Sequence, residues 1–387
     1  MIRIATLSVA ISVAVMIIAI NIIVGFKSEI TSKVVGFASH FKVVALDNRS
    51  GAPIDGDLAY VDSLRAMSFV RSVMPFTAKG GVMKTDEGIK GVVLKGVDGS
   101  YDMEFFKENL VEGAVPLFSD SIKSKEILIS KTLASEMNLK LGDKFEMMFI
   151  SGENVFRDRL SVGGVFQTSL AEFDGTMIIG DIRVANRVSG FKDNEVTGFE
   201  IVTDDLASIG KYLDPLEQIV FDNVPDEQPT MVVPITEEYI RIFDWLNLQD
   251  MNIWVVMIIM IFVAAFNMIA MMLIILIDKS SMIGILKAIG MRNADLQRVF
   301  LYRSMYIVIT GVVIGVVIGL GLSLIQLHFK ILTLSSEAYF LSYVPIKINY
   351  LYICSVAVIS FVSLILLQVV PVKIISKMSP HKSIKFN

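Results

Sequence analysis

Four stretches of this chain, 4–24, 251–277, 299–325 and 351–370, are each apolar over the roughly 20 residues that a helix needs to cross a bilayer. Inside lipid every backbone amide must be satisfied within the segment or a closed barrel, so such runs read as transmembrane helices. Their placement is lopsided: one at the start and three near the end, with 26–250 between the first and second. The composition agrees, since 53% of the 387 residues are hydrophobic, well above an ordinary soluble chain. The first run exceeds the roughly 7–15 apolar residues of a secretory signal and is followed by no A-x-A-like site, so a retained helix is expected.

Charge sets the expected orientation. Acids outnumber bases across 26–250. The connection after the second run carries Lys279, Lys287, Arg292, Arg298 and Arg303 against Asp278 and Asp295, and the tail carries Lys373, Lys377, Lys382 and Lys385 with no acid. Positive loops stay in the cytoplasm. The expected division is therefore helix 1 over 1–25, an exported block with stalk helices over 26–250, and helix 2 over 251–277. A cytoplasmic loop follows over 278–298, then helix 3 over 299–325, a short outward loop over 326–350, helix 4 over 351–370 and a basic cytoplasmic tail over 371–387.

Several chemistries are disfavoured. Cys354 is the only cysteine, so no intramolecular disulfide can form, and a block of this size can bury a core without one. His40, His328 and His381 are scattered and give no metal-ligand spacing. No G-x-x-x-x-G-K-[ST] occurs, so the chain carries no P-loop of its own. Asp204-Asp205 and Glu237-Glu238 are neighbours that point apart on a helix, and they read as solvated faces rather than an acid–base pair.

The exported block reads as an α+β domain, open to a two-lobed arrangement. HFKVVAL (40–46) alternates as a strand, and 80–98 reads as a hairpin around Asp86-Glu87-Gly88. EILIS (126–130) leads into a short helix ending near Asn138. KFEMMFI and RLSVGGVF (159–166) pair across a turn at 151–154, with Gly163-Gly164 marking a bulge. TMIIGDIRVANRVSG and VTGFEIVTDDLASIGKYL each give strand then helix, and the proline-containing 224–234 is expected to close the domain.

The cytoplasmic connection is patterned beyond what a linker requires. In DKSSMIGILKAIGM (278–291), Met282, Ile285, Leu286 and Ile289 fall on one helical face while Asp278, Lys279, Ser280 and Lys287 lie off it. Such a stripe fits either a groove on a partner or a lipid surface. In the third run, Gly311, Gly315 and Gly319 repeat GxxxG, which permits close helix approach. Asn21 and Asn267 place amides at membrane depth, where bonding within the bundle is expected.

Taken in order, ISKTLASEMNLKLGDKF, VGGVFQTSLAEFDGTMII, VTGFEI, FDWLNLQDMN with AAFNMI, MIGILKAIGM, and YVPIKI with VVPVKIISKMSPHKSIKF resemble the permease subunit of lipoprotein-releasing (Lol-type) ABC transporters, within the mechanotransmission (MacB/FtsX-like) superfamily. The likeness runs over almost the whole chain. It implies a cell inner-membrane permease with cytoplasmic termini and a periplasmic domain. Such a subunit extracts lipoproteins from the outer leaflet for transfer to the outer membrane. ATP and magnesium would sit in a separate cytoplasmic ATPase dimer, with none in this chain. The further partners implied are a second permease subunit, identical or homologous, the lipoprotein and a periplasmic lipoprotein chaperone. It also implies that Lys279, Met282, Ile283, Ile285, Leu286, Lys287, Ile289 and Gly290 form a coupling helix, and that 20–37 and 236–254 act as levers.

The sequence departs from the family pattern in three places. The family often has a glutamate where this chain has Met282. The hook-like hairpin that captures the chaperone is shortened here to a turn at Ser151, Gly152, Glu153 and Asn154. Family members also usually carry an amphipathic stretch before the first span, whereas this sequence opens Met1-Ile2-Arg3, expected of a truncated start or of a group lacking the stretch. Two rival functions stay open at this point. One is an efflux permease for small molecules or peptides, against which the missing fused ATPase counts. The other is a signalling permease acting on cell-wall hydrolases, against which the size of the exported block counts.

Overall fold

The structure is a computed structural model and describes residues 2–47, 52–56, 60–118, 123–151, 154–192, 194–223, 229–334, 341 and 343–377. Contacts divide the chain into two units. One is Ile30–Phe243 with Ser335–Ser342; the other is Met1–Glu29, Asp244–Leu334 and Tyr343–Asn387.

The first unit is mixed. Helix α1 (Ile2–Ala38) ends in it, and Ser39, at φ 61°, turns the chain into β1 (Phe41–Ala45). Then come β2 (Ile54–Asp55), α2 (Tyr60–Arg65), β3 (Val70–Thr85), β4 (Gly88–Val97), α3 (Glu104–Glu108), β5 (Leu110–Gly113), β6 (Glu126–Ser130), α4 (Lys131–Glu136), β7 (Lys144–Ser151) and β8 (Asn154–Phe166). The series closes with α5 (Ala171–Asp174), β9 (Met177–Asp181), α6 (Ile182–Ser189), β10 (Glu195–Val196), β11 (Gly198–Thr203), α7 (Ile209–Asn223), β12 (Thr230–Pro234) and α8 (Ile235–Glu238).

Local chemistry fixes the strand-to-helix junctions. Ser130 ends β6 and caps α4, its side chain accepting from the Leu133 amide, and Asp181 ends β9 and caps α6 by accepting from the Arg183 amide. Each satisfies one of the orphan donors of a helix start. The 80–98 hairpin turns over Asp86 and Glu87 as its sequence implies, although β3 begins ten residues earlier than that reading, at Val70.

That extra length organises the unit. The first part of β3 pairs antiparallel with β11 and its second part pairs with both β4 and β7. From β4 the pairing runs parallel to β9, then to β6, then parallel to β8, and β8 returns antiparallel to β7. Strands β3, β4, β9, β6, β8 and β7 therefore close into a ring, while β12-β1-β11 extends from the open half of β3.

Among the described residues, two of the apolar cores meet at β3. Ile127, Ile129, Phe145, Phe149, Leu160, Ile178 and Val184 belong to one; Phe41, Tyr60, Leu64, Val73, Phe199, Ile201 and Leu216 belong to the other. Gly163 is the extra residue of a bulge, because Ile127 faces Val162 and the next residue, Leu128, faces Gly164.

Of the proline-containing 224–234, expected to close the domain, Thr230–Pro234 is β12 and pairs with all of β1. Its proline is tolerated because β12 is an edge strand, where a missing donor leaves no ladder bond unmade. Residues 224–228 lie outside the described ones.

The second unit is helical. Besides α1 it holds α9 (Ile240–Asp278), α10 (Ser280–Ala288), α11 (Asn293–Phe329) and α12 (Tyr350–Lys377). Among the described residues, α1, α9, α11 and α12 are the helices long and apolar enough to cross a membrane. At about 1.5 Å per residue, the 37 residues of α1 and the 39 of α9 exceed the roughly 30 Å of a hydrocarbon core, so both continue well past it. Val9, Val13 and Ile17 of α1 pack with Ala264, Met268 and Met272 of α9, Ile307 and Val308 of α11, and Val356 and Leu364 of α12.

Pro345 and Lys347, just before α12, lie on α1. The Lys347 amide donates to the Asn21 carbonyl at 3.1 Å and its Nζ donates to Ser28 Oγ at 2.9 Å. A side chain at Gly25 would place its Cβ 2.6 Å from the Pro345 carbonyl oxygen, so only glycine admits this approach.

Candidate coupling face and helix junction

The α10 segment follows α9 almost without a break. Gly290, at φ 100°, ends it, with the Met291 amide donating to the Leu286 carbonyl and the Gly290 amide to that of Lys287. A left-handed glycine that closes the final turn is the expected stop signal.

The helix presents two apolar faces rather than one. Ile283 is fully buried, Gly284 is buried, and Leu286 is half-buried against the span core. Met282, Ile285 and Ile289 point outward and are 47%, 51% and 79% exposed. Leu286, which shares the apolar face read from the sequence with Met282, Ile285 and Ile289, packs with Ile283 toward the spans. Ile283 and Leu286, three residues apart, form a second stripe that counting one face overlooks. Lys279 is exposed beside Asp278 at 3.1 Å, and partial burial pulls the Lys287 ammonium below its usual range.

The three GxxxG glycines pack within the chain. A Cβ on Gly311, Gly315 or Gly319 would meet Val9, Val13 or Ile17 of α1 at 2.8, 2.7 and 3.0 Å. The two amides at depth are also satisfied inside the bundle: Asn21 Nδ2 donates to Ser323 Oγ at 3.0 Å, and Asn267 Nδ2 donates to Ser8 Oγ at 2.8 Å. Of the shortened hairpin, Ser151 pairs with Asn154, and Ser151 Oγ donates to the Ser189 carbonyl; Gly152 and Glu153 lie outside the described residues.

The feature that sequence reasoning missed sits in the mixed unit, where α1 ends and α8 begins. The Ile235 amide, at the start of α8, donates to the His40 carbonyl at 2.9 Å. His40 Nδ1 accepts from the Thr203 amide at 3.0 Å, which requires a neutral ring. Burial, helped by Arg71 and opposed by Asp205, holds its pKa at about 4. Rings form a second link: Phe37 of α1 lies 4.4 Å from Phe173, and Phe173 lies 5.1 Å from Tyr239, between α8 and α9.

A buried carboxylate makes the third link. Glu200 of β11 is 0% exposed, and its Oε2 accepts from Lys95 Nζ at 2.9 Å, Tyr101 Oη at 2.7 Å and Ser39 Oγ at 3.2 Å. Lys95 Nζ also donates to the Phe37 carbonyl at 2.8 Å, in the last turn of α1. Across the strand pair, Lys42 faces Glu200 at 3.8 Å and binds Glu238 of α8 at 2.8 Å. Burial pushes the Glu200 carboxyl up, but Lys95 and Lys42 outweigh it and hold the group below the usual range, ionised. No motif announces this cluster, because its members come from five elements; two lysines in otherwise apolar strands were the available signal.

Nothing in either region has the makings of a reactive centre, and among the described residues no cluster could hold a metal ion. Residues 4–219 match the model of the MacB-like periplasmic core domain, and residues 254–380 match that of the FtsX-like permease C-terminal. The chain is similar to the lipoprotein-releasing system transmembrane protein LolC of Neisseria meningitidis serogroup B, with 22% identity over 409 residues, covering 98% of this chain and 92% of that protein. It is likewise similar to LolE of Haemophilus influenzae, with 20% identity over 398 residues, covering 98% and 92%. The extracellular domain of the ABC-type transporter YknZ from Gram-positive bacteria overlaps 50% of this chain and 98% of its own, at 15% identity and a TM-score of 0.35. The chain belongs to the MacB/FtsX-like family of ABC-transporter permease subunits, membrane proteins that are not themselves enzymes.

Proposed function

We propose that this chain is the permease subunit of a transporter that extracts lipoproteins from the outer leaflet of the inner membrane for transfer to the outer membrane. The reading is carried by the near end-to-end likeness to two lipoprotein-releasing transmembrane proteins, over 92% of each. The basic 278–303 connection and the basic tail support cytoplasmic termini, with the acidic 26–250 block in the periplasm.

The task explains the architecture. Burying a CH₂ in a membrane is worth about 0.8 kcal/mol, so three acyl chains anchor a lipoprotein by something on the order of 30 kcal/mol. Extraction then needs an energy source and an apolar route that never exposes the chains to water. With no P-loop among these residues, the reading assigns ATP and magnesium to a cytoplasmic ATPase, working with this chain and a second permease subunit. The outward side chains of α10, Met282, Ile285 and Ile289, suit an apolar groove on that ATPase, with Lys279 and Lys287 at its rim. The long α1 and α9 would carry motion from the membrane to the exported unit. A periplasmic chaperone would receive the lipoprotein, though the short 151–154 turn offers it little to hold.

Co-reconstitution of the permease and its ATPase with an acylated lipoprotein tests this. ATP-dependent release into the aqueous phase is expected. Release of acylated protein that is equal without ATP, or co-purification of a cell-wall hydrolase in place of any acylated protein, would refute it.

A further inference from the structure

We infer that Glu200 is a positioning residue that registers the end of α1 against the start of α8, so that displacement of either helix end is handed to the other through one buried carboxylate. The inference rests on reading α1 and α9 as levers.

The three links at this junction differ in stiffness. Ring contacts between Phe37, Phe173 and Tyr239 are tilted pairs, at 32° and 57°, and lack the charge-assisted hydrogen bonds that fix a buried ion pair. The buried Ile235-to-His40 bond is the last of the β1–β12 ladder, which registers the two strands from Phe41–Pro234 to Ala45–Thr230 but not the side chains of the helix ends beyond them. The Glu200 cluster is different. Its carboxylate is inaccessible to water, and of its side-chain partners Ser39, Lys95 and Lys42 each reach one helix end, while Tyr101 Oη completes the cluster without touching either.

On the α1 side, Ser39 Oγ touches Glu200 directly, and Lys95 spans from the carboxylate to the Phe37 carbonyl. On the α8 side, Lys42 spans from the same carboxylate to Glu238. Pulling either end away strips a buried charge of a partner, which a low-dielectric interior penalises steeply. If stability alone mattered, apolar side chains of the same volume would serve at least as well. An ionic cluster whose arms end on two separate helices fixes their register instead.

Amide hydrogen exchange on the full-length chain in lipid nanodiscs tests this without ATPase or lipoprotein, so its failure is distinct from failure of the transport assay. Glu238→Gln loosens only the α8 arm, at a partly exposed residue. It should speed exchange in 33–44, on the α1 side, by threefold or more, while 127–130 and 177–181 in the ring stay within twofold. In a Glu200→Gln background the same Glu238→Gln change should leave 33–44 unmoved. Should Glu200→Gln lose protection in the ring, Lys95→Met with Glu200→Met removes both charges together and serves as that background. Unchanged exchange in 33–44 on Glu238→Gln alone, or an effect that persists once Glu200 is replaced, overturns the inference.

Discussion

Val13 and Gly315 stand so close that a Cβ on the glycine would lie 2.7 Å from the valine Cβ, and equally close to the Ala10 carbonyl oxygen. Real Cβ atoms do not approach that near, so α11 can lie on α1 here only without a side chain. Gly315→Val should destabilise the helical unit by about 1–3 kcal/mol through overpacking. Gly321, on the same helix with nothing within 4 Å, is the internal control, and Gly321→Ala should be neutral or mildly stabilising. Thermal unfolding of the two variants in detergent checks the contrast; equal loss in both would point to a general intolerance of α11.

The outward face of α10 gives a separable pair of substitutions. Ile285→Asp adds a carboxylate to a side chain that is already half in solvent, so the fold should survive. Burying that charge in a partner's apolar groove costs several kcal/mol, which corresponds to orders of magnitude in affinity. The expected outcome is normal yield and loss of the co-purifying ATPase. Leu286→Asp instead strikes the span core and should lower the yield of the permease itself. Recovery of the ATPase with Ile285→Asp at the wild-type level would exclude this face as the docking surface.

Stability of the mixed unit should depend on pH through His40. Its folded pKa of about 4 lies below the ordinary 6.5, so the unfolded chain takes up this proton first. The contribution is whole above about pH 6.5 and is lost as pH falls toward 4, by up to about 3 kcal/mol. Unfolding of the full chain, followed between pH 7 and 4, should show a shallower decline for His40→Gln than for the wild type. Parallel curves would mean the imidazole is not held neutral.

Strand β12 fixes what an isolated exported fragment must contain. A fragment of 30–243 should be soluble and cooperatively folded, whereas 40–230 removes almost all of β12 and leaves β1 as an unprotected edge. Circular dichroism and size-exclusion chromatography of both should show the shorter one partly unfolded or associated. Identical behaviour would mean that β12 adds nothing to the sheet's stability.

Much of this is legible in the sequence. Strands with caps at their ends, such as EILIS before Lys131 and MIIGD before Ile182, declare themselves because a strand period gives way to a helix period at a Ser or an Asp. What stayed hidden depends on distant partners. Nothing local reveals that β3 begins at Val70, since its first half is stabilised by β11, more than a hundred residues away. The α10 stripe was visible, but which of its flanks packs on the spans is set by neighbours rather than by period. The Glu200 cluster was invisible for the same reason: a lone acid in GFEIVT looks like an outward residue until β1 and β4 bring it lysines.

The closed ring also dictates an order of events. Hairpins β3–β4 and β7–β8 are local and should form within microseconds, but the β4–β9 and β6–β8 pairs are parallel and β3–β7 joins distant segments, so closure must wait on slow loop-closing searches. The first strand after α1 is completed on one side by the last strand before α8. During biosynthesis the sheet therefore stays incomplete until Pro234 has crossed the membrane, so delivery of the chain, rather than its collapse, sets when this unit becomes whole.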